Sequence, residues 1–386
     1  MQKVSSQQGL KFINQQKVLN LIYNESPISR VEIAERTSLT QQSVTNIVNR
    51  LMEEDLVREG ESMSGNKGRK PIPLAIQADK MYAIGIEVAV KYISGKLIDF
   101  HDKVIEESRI DVNVFETGED TLDCIRSIVK HLLKQVSKKR YLKGMGISIQ
   151  GLVDSEKGVV IHSPGLAWKG YPLVEKLQHE FDFPIYIEND VNLLAIIENQ
   201  SGSLENSLHN VVLKLDHGIG GAITVDKKLV VGSSNVAGEF GHIKAFHGSN
   251  AYKCHCGAVG CITTLASNSG LILNKNMTLE EFNNEVREED LEAQQLFANI
   301  TDALGLALSN TITFINPDKI LLTGQLIHRF GDILVPKLKQ IVEKTVPEVC
   351  RDVSIDYLDM PLDESILAAK LVTKYFFDVP IEILSL

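Results

Sequence analysis

Between Asn14 and Asn24, Val18, Leu21 and Ile22 recur at helical spacing before Pro27 ends the run, which predicts a first helix. Ser29 followed three residues on by Glu32 is a capping-box pattern and predicts a second, from about Ser29 to Thr37. After the short turn Ser38-Leu39-Thr40, the residues Val44, Ile47, Val48 and Leu51 fall at i, i+3, i+4 and i+7 of a third helix. Its opposite face is polar: Gln41, Gln42, Ser43, Thr45, Asn46, Asn49 and Arg50. Downstream, Ser64 to Pro71 forms a glycine-rich basic tip, with Lys67, Arg69 and Lys70, between two short apolar strands. Three helices and a basic hairpin are the plan of a winged helix-turn-helix, whose last helix enters the major groove. Gln and Asn pair with adenine, and Ser, Thr and Arg reach bases or phosphates. DNA contacts are therefore expected from Gln41, Gln42, Ser43, Thr45, Asn46, Arg50, Lys67, Arg69 and Lys70. A protein-interaction module made of the same amphipathic helices is the alternative.

From about Met81 the period changes. Tyr82–Val88 reads as a strand with Tyr92–Asp99 as its hairpin partner, followed by a helix around Glu119 to Ser137 and a strand from Lys143 to Ile149. The same grammar restarts at Asn210: a strand Val211 to Leu215, a glycine turn His217 to Gly221, a strand Ala222 to Val225, a hairpin and then helices. Two such sets predict two α/β lobes with a cleft between them, the usual place for a small-molecule site. Met277 to Glu292 reads as an acidic helix with a solvated face, and Ala303 to Phe314 as a helix of the core or of a subunit interface. The expected division is 1–77 for the head, 78–192 with about 363–386 for lobe 1, and 193–362 for lobe 2.

The formal net charge of −10 argues by itself against nucleic acid, but it is unevenly spread. Residues 1–80 hold 11 Lys and Arg against 9 Asp and Glu, leaving −12 for the remainder. A locally basic head on an acidic body fits a small DNA-contacting module joined to an effector domain. No apolar stretch reaches 18 residues and the N-terminus carries no apolar run, so a cytoplasmic protein with no membrane segment is expected. Helix-turn-helix proteins bind paired half-sites, which implies a homodimer or tetramer on operator DNA.

Three of the five cysteines lie within eight residues, in Cys254-His255-Cys256-Gly257-Ala258-Val259-Gly260-Cys261, and Gly241-His242 stands upstream. Three thiolates and one imidazole close a tetrahedral structural zinc site. Buried thiols acting as small hydrophobes are the plainer alternative. An odd cysteine count without a signal peptide speaks against a disulfide framework.

Together, Glu188-Asn189-Asp190-Val191-Asn192, Gly238-Glu239-Phe240-Gly241-His242 and the cysteine segment resemble the ROK family (repressors, open reading frames, kinases). With the N-terminal head, the whole chain resembles its repressor branch. The resemblance implies an α/β fold: a winged helix-turn-helix followed by a two-lobed actin- or hexokinase-like (RNase H-like) ROK domain. It implies zinc ligands His242, Cys254, Cys256 and Cys261, and a sugar site of Asn189, Asp190, Glu239 and His242. His242 would serve zinc and sugar with one nitrogen each. In the family's kinases the Asp matching Asp190 is the general base. An isolated Asn-Asp pair is otherwise a turn or helix cap.

Three departures matter. Thr263 stands where the family carries a sugar-contacting Glu. Glu87-Val88-Ala89-Val90-Lys91 replaces the kinases' Asp-x-Gly-Gly-Thr phosphate loop, and side chains there crowd the approach of phosphate to backbone amides. His217 and Thr323-Gly324-Gln325 alter two further nucleotide turns. The expected function is a sugar-responsive repressor of carbohydrate-utilisation genes, without kinase activity, whose sugar or sugar-phosphate effector binds in the cleft. An active ATP-dependent sugar kinase and a repressor gated by a regulatory protein are the alternatives.

Overall fold

The structure is a computed structural model that describes residues 7–60, 72–112 and 117–379. Its head begins with helix α1 (Gln7–Glu25), longer at its start than the apolar spacing indicates. Helix α2 (Arg30–Thr37) opens on the expected capping box: the Ser29 hydroxyl accepts from Glu32 N at 3.3 Å and the Glu32 carboxylate from Ser29 N at 2.8 Å. Helix α3 (Gln41–Glu53) is capped by Thr40, and Val44, Ile47, Val48 and Leu51 are its buried stripe. Strands Val57–Glu59 and Pro73–Ile76 pair antiparallel, with Ile28–Ser29 added beyond the second. The predicted tip with Lys67, Arg69 and Lys70 lies outside the described residues.

The described chain divides into two compact units: Met1–Ile149 with Ser155–Ile187 and Glu364–Leu386, and Gln150–Asp154 with Glu188–Asp363. The head belongs to the first of these and shares its core. Val18, Ile22, Ile33, Val48 and Leu74 of the head pack in one cluster with Met81, Ala83, Ile98, Phe100, Val372 and Phe377. Tyr23 stacks on Phe377 with ring centroids 3.9 Å apart, and Asn20 donates to the Phe377 carbonyl at 3.0 Å. Asp55, just past α3, accepts from Lys80 at 3.1 Å and Tyr141 at 3.2 Å and pairs with Arg140. These partners, Lys80 foremost, hold its carboxyl below the ordinary carboxylate range.

The five-stranded sheet of the first unit runs Ile185–Asn189, Leu142–Ile149, Tyr82–Val88, Tyr92–Asp99, Val104–Asp111. The last three form an antiparallel meander, and Leu142–Ile149 is parallel to Tyr82–Val88. The C-terminal helix Glu364–Phe377 presses on the two central strands backbone to backbone. A Cβ on Gly85 would stand 1.8 Å from the Ser365 carbonyl oxygen, and one on Gly146 1.9 Å from that of Ala368. Only glycine admits that approach. An antiparallel pair of strands, Val159–Ser163 and Trp168–Tyr171, was not legible in the sequence. Trp168 is a core residue, 1% exposed, with its indole N–H on the Gly118 carbonyl at 3.0 Å.

The second unit repeats the topology of the first. Asn210–Leu215, Ile219–Val225 and Lys228–Leu229 form an antiparallel meander, and Lys319–Thr323 and then Ser354–Tyr357 add in parallel beside Asn210–Leu215. Helices Leu291–Ile315 and Gln325–Thr345 build its core with Phe282, Phe297 and Phe330. The segment expected as one solvated acidic helix is two pieces. Leu279–Arg287 buries Leu279, Phe282 and Val286, and Asp290 caps the next helix. Its acidic residues masked an amphipathic period. Among the described residues no helix is long and apolar enough to cross a membrane.

Candidate functional site

On α3, the side chains of Gln41, Gln42, Asn46, Asn49 and Arg50 are exposed, with Ser43 and Thr45 half-buried beside them. Gln42 donates to Asn46 Oδ1 at 3.2 Å, Thr45 Oγ1 to the Gln41 carbonyl at 2.8 Å, and the hydroxyls of Thr40 and Ser43 meet at 2.9 Å. The Gln42–Asn46 contact holds two amides side by side on the exposed face.

In the second unit, His242, Cys254, Cys256 and Cys261 come together, their ligand atoms all within 4.8 Å of one another. Cys256 and Cys261 sulfurs are 3.6 Å apart, and Cys254 Sγ is 3.7 Å from His242 Nδ1. A tetrahedron with Zn–S bonds of about 2.3 Å has edges of about 3.8 Å, so the set fits the ion. Burial pushes the Cys254 thiol up to about 11, whereas the Ala258 backbone N–H draws Cys256 below its ordinary value. A bound dication would stabilise their thiolate forms. Lys244, which the sequence did not single out, donates to Cys261 Sγ at 2.8 Å and to the His242 carbonyl at 2.7 Å. Three thiolates on a Zn²⁺ ion would leave one negative charge, which this ammonium is placed to compensate.

His242 ends a short 3₁₀ turn, Phe240–His242, in which Glu239 also lies at the entrance. The turn is pinned on the Ile219–Val225 strand: Gly238 has φ +91°, and a Cβ there would stand 2.2 Å from the Gly221 carbonyl oxygen. With Nδ1 facing Cys254, His242 turns Nε2 to Glu239 Oε2 at 3.7 Å. Burial and the Asp190 charge hold the Glu239 carboxyl above its ordinary range, although 44% of its side chain stays accessible.

Asn189 is the N-cap of helix Asp190–Ser201. Its Oδ1 accepts from Val191 N and Asn192 N at 3.0 and 3.1 Å, and its amide donates to the Gly151 carbonyl at 2.9 Å and Asp190 Oδ1 at 3.0 Å. Those four bonds fill its capacity. Asp190 Oδ2 takes the Lys214 ammonium at 2.8 Å, the two side chains being 11% and 13% exposed. Lys214 is the second residue that sequence reasoning passed over. The signal was present, since it is the one charge in the strand Asn-Val-Val-Leu-Lys-Leu.

Two expected nucleotide positions are occupied by internal contacts. In the first unit both Glu87 oxygens are engaged, by Tyr92 at 2.5 Å and Ser94 at 3.1 Å. In the second, the carbonyls of Asp216 and His217 accept from Asn268 N and Ser269 N at 2.9 and 3.1 Å.

The ROK family model matches residues 83–358 and a winged helix-turn-helix DNA-binding model matches 12–58. The chain belongs to the ROK family and carries a winged helix-turn-helix at its N-terminus. It is 28% identical to the xylose repressor of Bacillus spizizenii over 97% of this chain and 99% of that protein. It is 25% identical to the DNA-binding transcriptional dual regulator NagC of Escherichia coli over 86% and 85%. In fold it matches a ROK family transcriptional regulator, a homologue of the E. coli MLC protein, with TM-score 0.82 over 97% of this chain and 99% of that one, at 23% identity. A ROK family glucokinase from Streptomyces griseus, in complex with glucose and AMPPNP, matches with TM-score 0.61 over 76% and 99%, at 20% identity.

Proposed function

We propose that the protein is a sugar-responsive, DNA-binding transcriptional repressor of carbohydrate-utilisation genes and has no kinase activity. The observation that carries this reading is the joining of a winged helix-turn-helix, through a shared core, to a ROK body with Asp190, Glu239 and His242 on its second unit. The xylose repressor that matches 97% of this chain is named as a repressor, and NagC, which matches 86%, as a DNA-binding transcriptional dual regulator. The engagement of both Glu87 oxygens by Tyr92 and Ser94 supports the loss of phosphoryl transfer, because a metal–nucleotide would have to compete with an internal network for this carboxylate.

Asp190 and Glu239 accept hydroxyls of the effector, and His242 Nε2 adds a third polar contact. Asn189 acts by capping the helix and orienting Asp190. His242, Cys254, Cys256 and Cys261 hold zinc, which supplies a structural cross-link. That cross-link fixes the ring of His242 so that Nε2 stays beside Glu239. The protein binds its operator as a homodimer, and the effector shifts operator affinity by its different affinity for two states of the protein. The test is operator binding against xylose, glucose, fructose and N-acetylglucosamine 6-phosphate. One of them is expected to weaken it, and Asp190→Ala to abolish the response while sparing effector-free operator binding. Indifference to every sugar and sugar phosphate sinks the reading.

Gln42→Ala should weaken specific operator binding by about 1–3 kcal/mol. Non-specific binding and Tm should hardly move, because the side chain is exposed. Equal losses on specific and random DNA, measured by fluorescence anisotropy, would show that Gln42 reads no base.

A further inference from the structure

Helix α3 presents the polar face suited to DNA, and it ends at Glu53, two residues before Asp55. Asp55 has φ +58°, the left-handed conformation after a helix that glycine or asparagine supplies most often. Neither of those residues would bring a charge, and the Asp55 carboxylate is well used. Its Oδ1 accepts from the Lys80 ammonium at 3.1 Å, and its Oδ2 accepts from the Tyr141 hydroxyl at 3.2 Å and pairs with the Arg140 guanidinium. Lys80 lies just past the head, and Arg140 and Tyr141 lead into the body strand Leu142–Ile149. Three donors from outside the head therefore converge on the residue that follows α3. Tyr141 is 8% exposed and Arg140 stands over its ring at 5.3 Å, so these donors are held in place by their own packing.

Stability explains little of this arrangement. The side chains of Lys80 and Arg140 are 39% and 51% exposed, and ion pairs open to water contribute little to folding. Direction is what such bonds supply. Apolar burial is non-directional, whereas charge-assisted hydrogen bonds fix angle as well as distance. The Tyr23–Phe377 stack ties the head to the body at α1. A second tie, at the end of α3, fixes the rotation that one tie leaves open.

We propose that Asp55 is a positioning residue for operator binding: it fixes the angle of α3 on the body and so sets the half-site spacing that the homodimer accepts. This deepens the repressor reading and rests on it. Base reading stays with the exposed face of α3, and Asp55 decides where that face points.

In the test, the full-length protein first selects its own site from duplexes with a random core. Fluorescence anisotropy then measures binding to the selected two-half-site duplex, to a single half-site, and to the duplex with two base pairs inserted between half-sites. The insertion turns one half-site by about 70° and moves it by about 7 Å, and the wild type is expected to lose about tenfold or more on it. Asp55→Asn keeps a residue at ease in the left-handed conformation and removes the charge. It should bind the native spacing about tenfold more weakly and the single half-site as the wild type does, so that the spacing preference shrinks. Arg140→Gln with Tyr141→Phe removes two of the donors and leaves the sequence of the head untouched; the same pattern is expected of it. Variants that keep the full spacing preference overturn the inference and leave the repressor reading standing. Equal losses on the half-site and the full site also overturn it, because Asp55 would then only support the fold of α3. So does a selected site with no second half-site. Selection of no sequence at all sinks both readings.

Discussion

Cys261→Ser is expected to bring zinc from about one per chain to well below it and to lower Tm by about 10 °C or more. Cys261 is 0% exposed, and its sulfur is 3.6 Å from Cys256 Sγ and 2.8 Å from the Lys244 ammonium. A serine hydroxyl at that place is a poor zinc ligand and strands Lys244 beside a neutral group. Apart from turn hydrogen bonds and the core contacts of Phe246, Ile243, Ala245 and Tyr252, the segment it anchors has no regular element to hold it. Residues 243–261 contain isolated bridges, Lys244 with Cys261 and Lys253 with Val259, and no helix or strand long enough to persist alone. Losing metal there loses folding free energy directly. The core that follows, Ile262, Leu265 and Ala266, is then exposed to loosening from its edge. Cys350→Ser, at a half-buried cysteine outside the cluster, is the control and should keep its zinc. Full zinc content together with an unchanged Tm in Cys261→Ser would falsify the ligand set.

Most of the architecture was legible because it is written in local periods. The α3 stripe Val44, Ile47, Val48, Leu51, the Ser29–Glu32 capping box and the repeated strand-hairpin grammar all survive into the structure. What escaped was tertiary. The edge strand Val104–Asp111, Val-Ile-Glu-Glu-Ser-Arg-Ile-Asp, does not alternate apolar and charged residues, and all of them are exposed or half-buried, so no apolar period marks it. The helix Leu279–Arg287 hides three buried apolar residues among five acidic and amide ones. That the head would share a core with the C-terminal helix, more than 350 residues on, leaves no sign in either segment alone.

The site was legible only as far as residue chemistry is specific. Three cysteines and a histidine at ligand spacing have few other uses, and the structure brings all four together. Carboxylates and amides have many uses. Asn189 turns out to spend every hydrogen bond on capping and on orienting Asp190. Lys214 and Lys244 were passed over because a lysine is ordinarily a solvated surface residue, and only the strand pairing shows that Lys214 is carried inward to Asp190. The tip residues Lys67, Arg69 and Lys70 remain expectations, as they fall outside the described residues.

Phe377→Ala should damage the DNA head although it lies at the far end of the chain. Phe377 is 2% exposed, stacks on Tyr23 of α1 at 3.9 Å and meets Phe100 edge-on at 5.8 Å. Truncating such a ring costs about 3–5 kcal/mol, which for a unit of this size is on the order of 10 °C in Tm. Because the cavity opens in a core common to head and body, both should melt together and earlier, in a single transition by calorimetry. By the same argument residues 1–77 expressed alone lack Met81, Ala83, Ile98, Phe100, Val372 and Phe377, and should give a poorly dispersed amide spectrum. A well-dispersed fragment that binds operator as tightly as the full chain would show the shared core to be dispensable. If instead the fragment is unfolded, the head has no hinge of its own. Whatever reaches the C-terminal helix then reaches α1 through a packed aromatic stack, and a small shift there moves the reading helix as part of a rigid body.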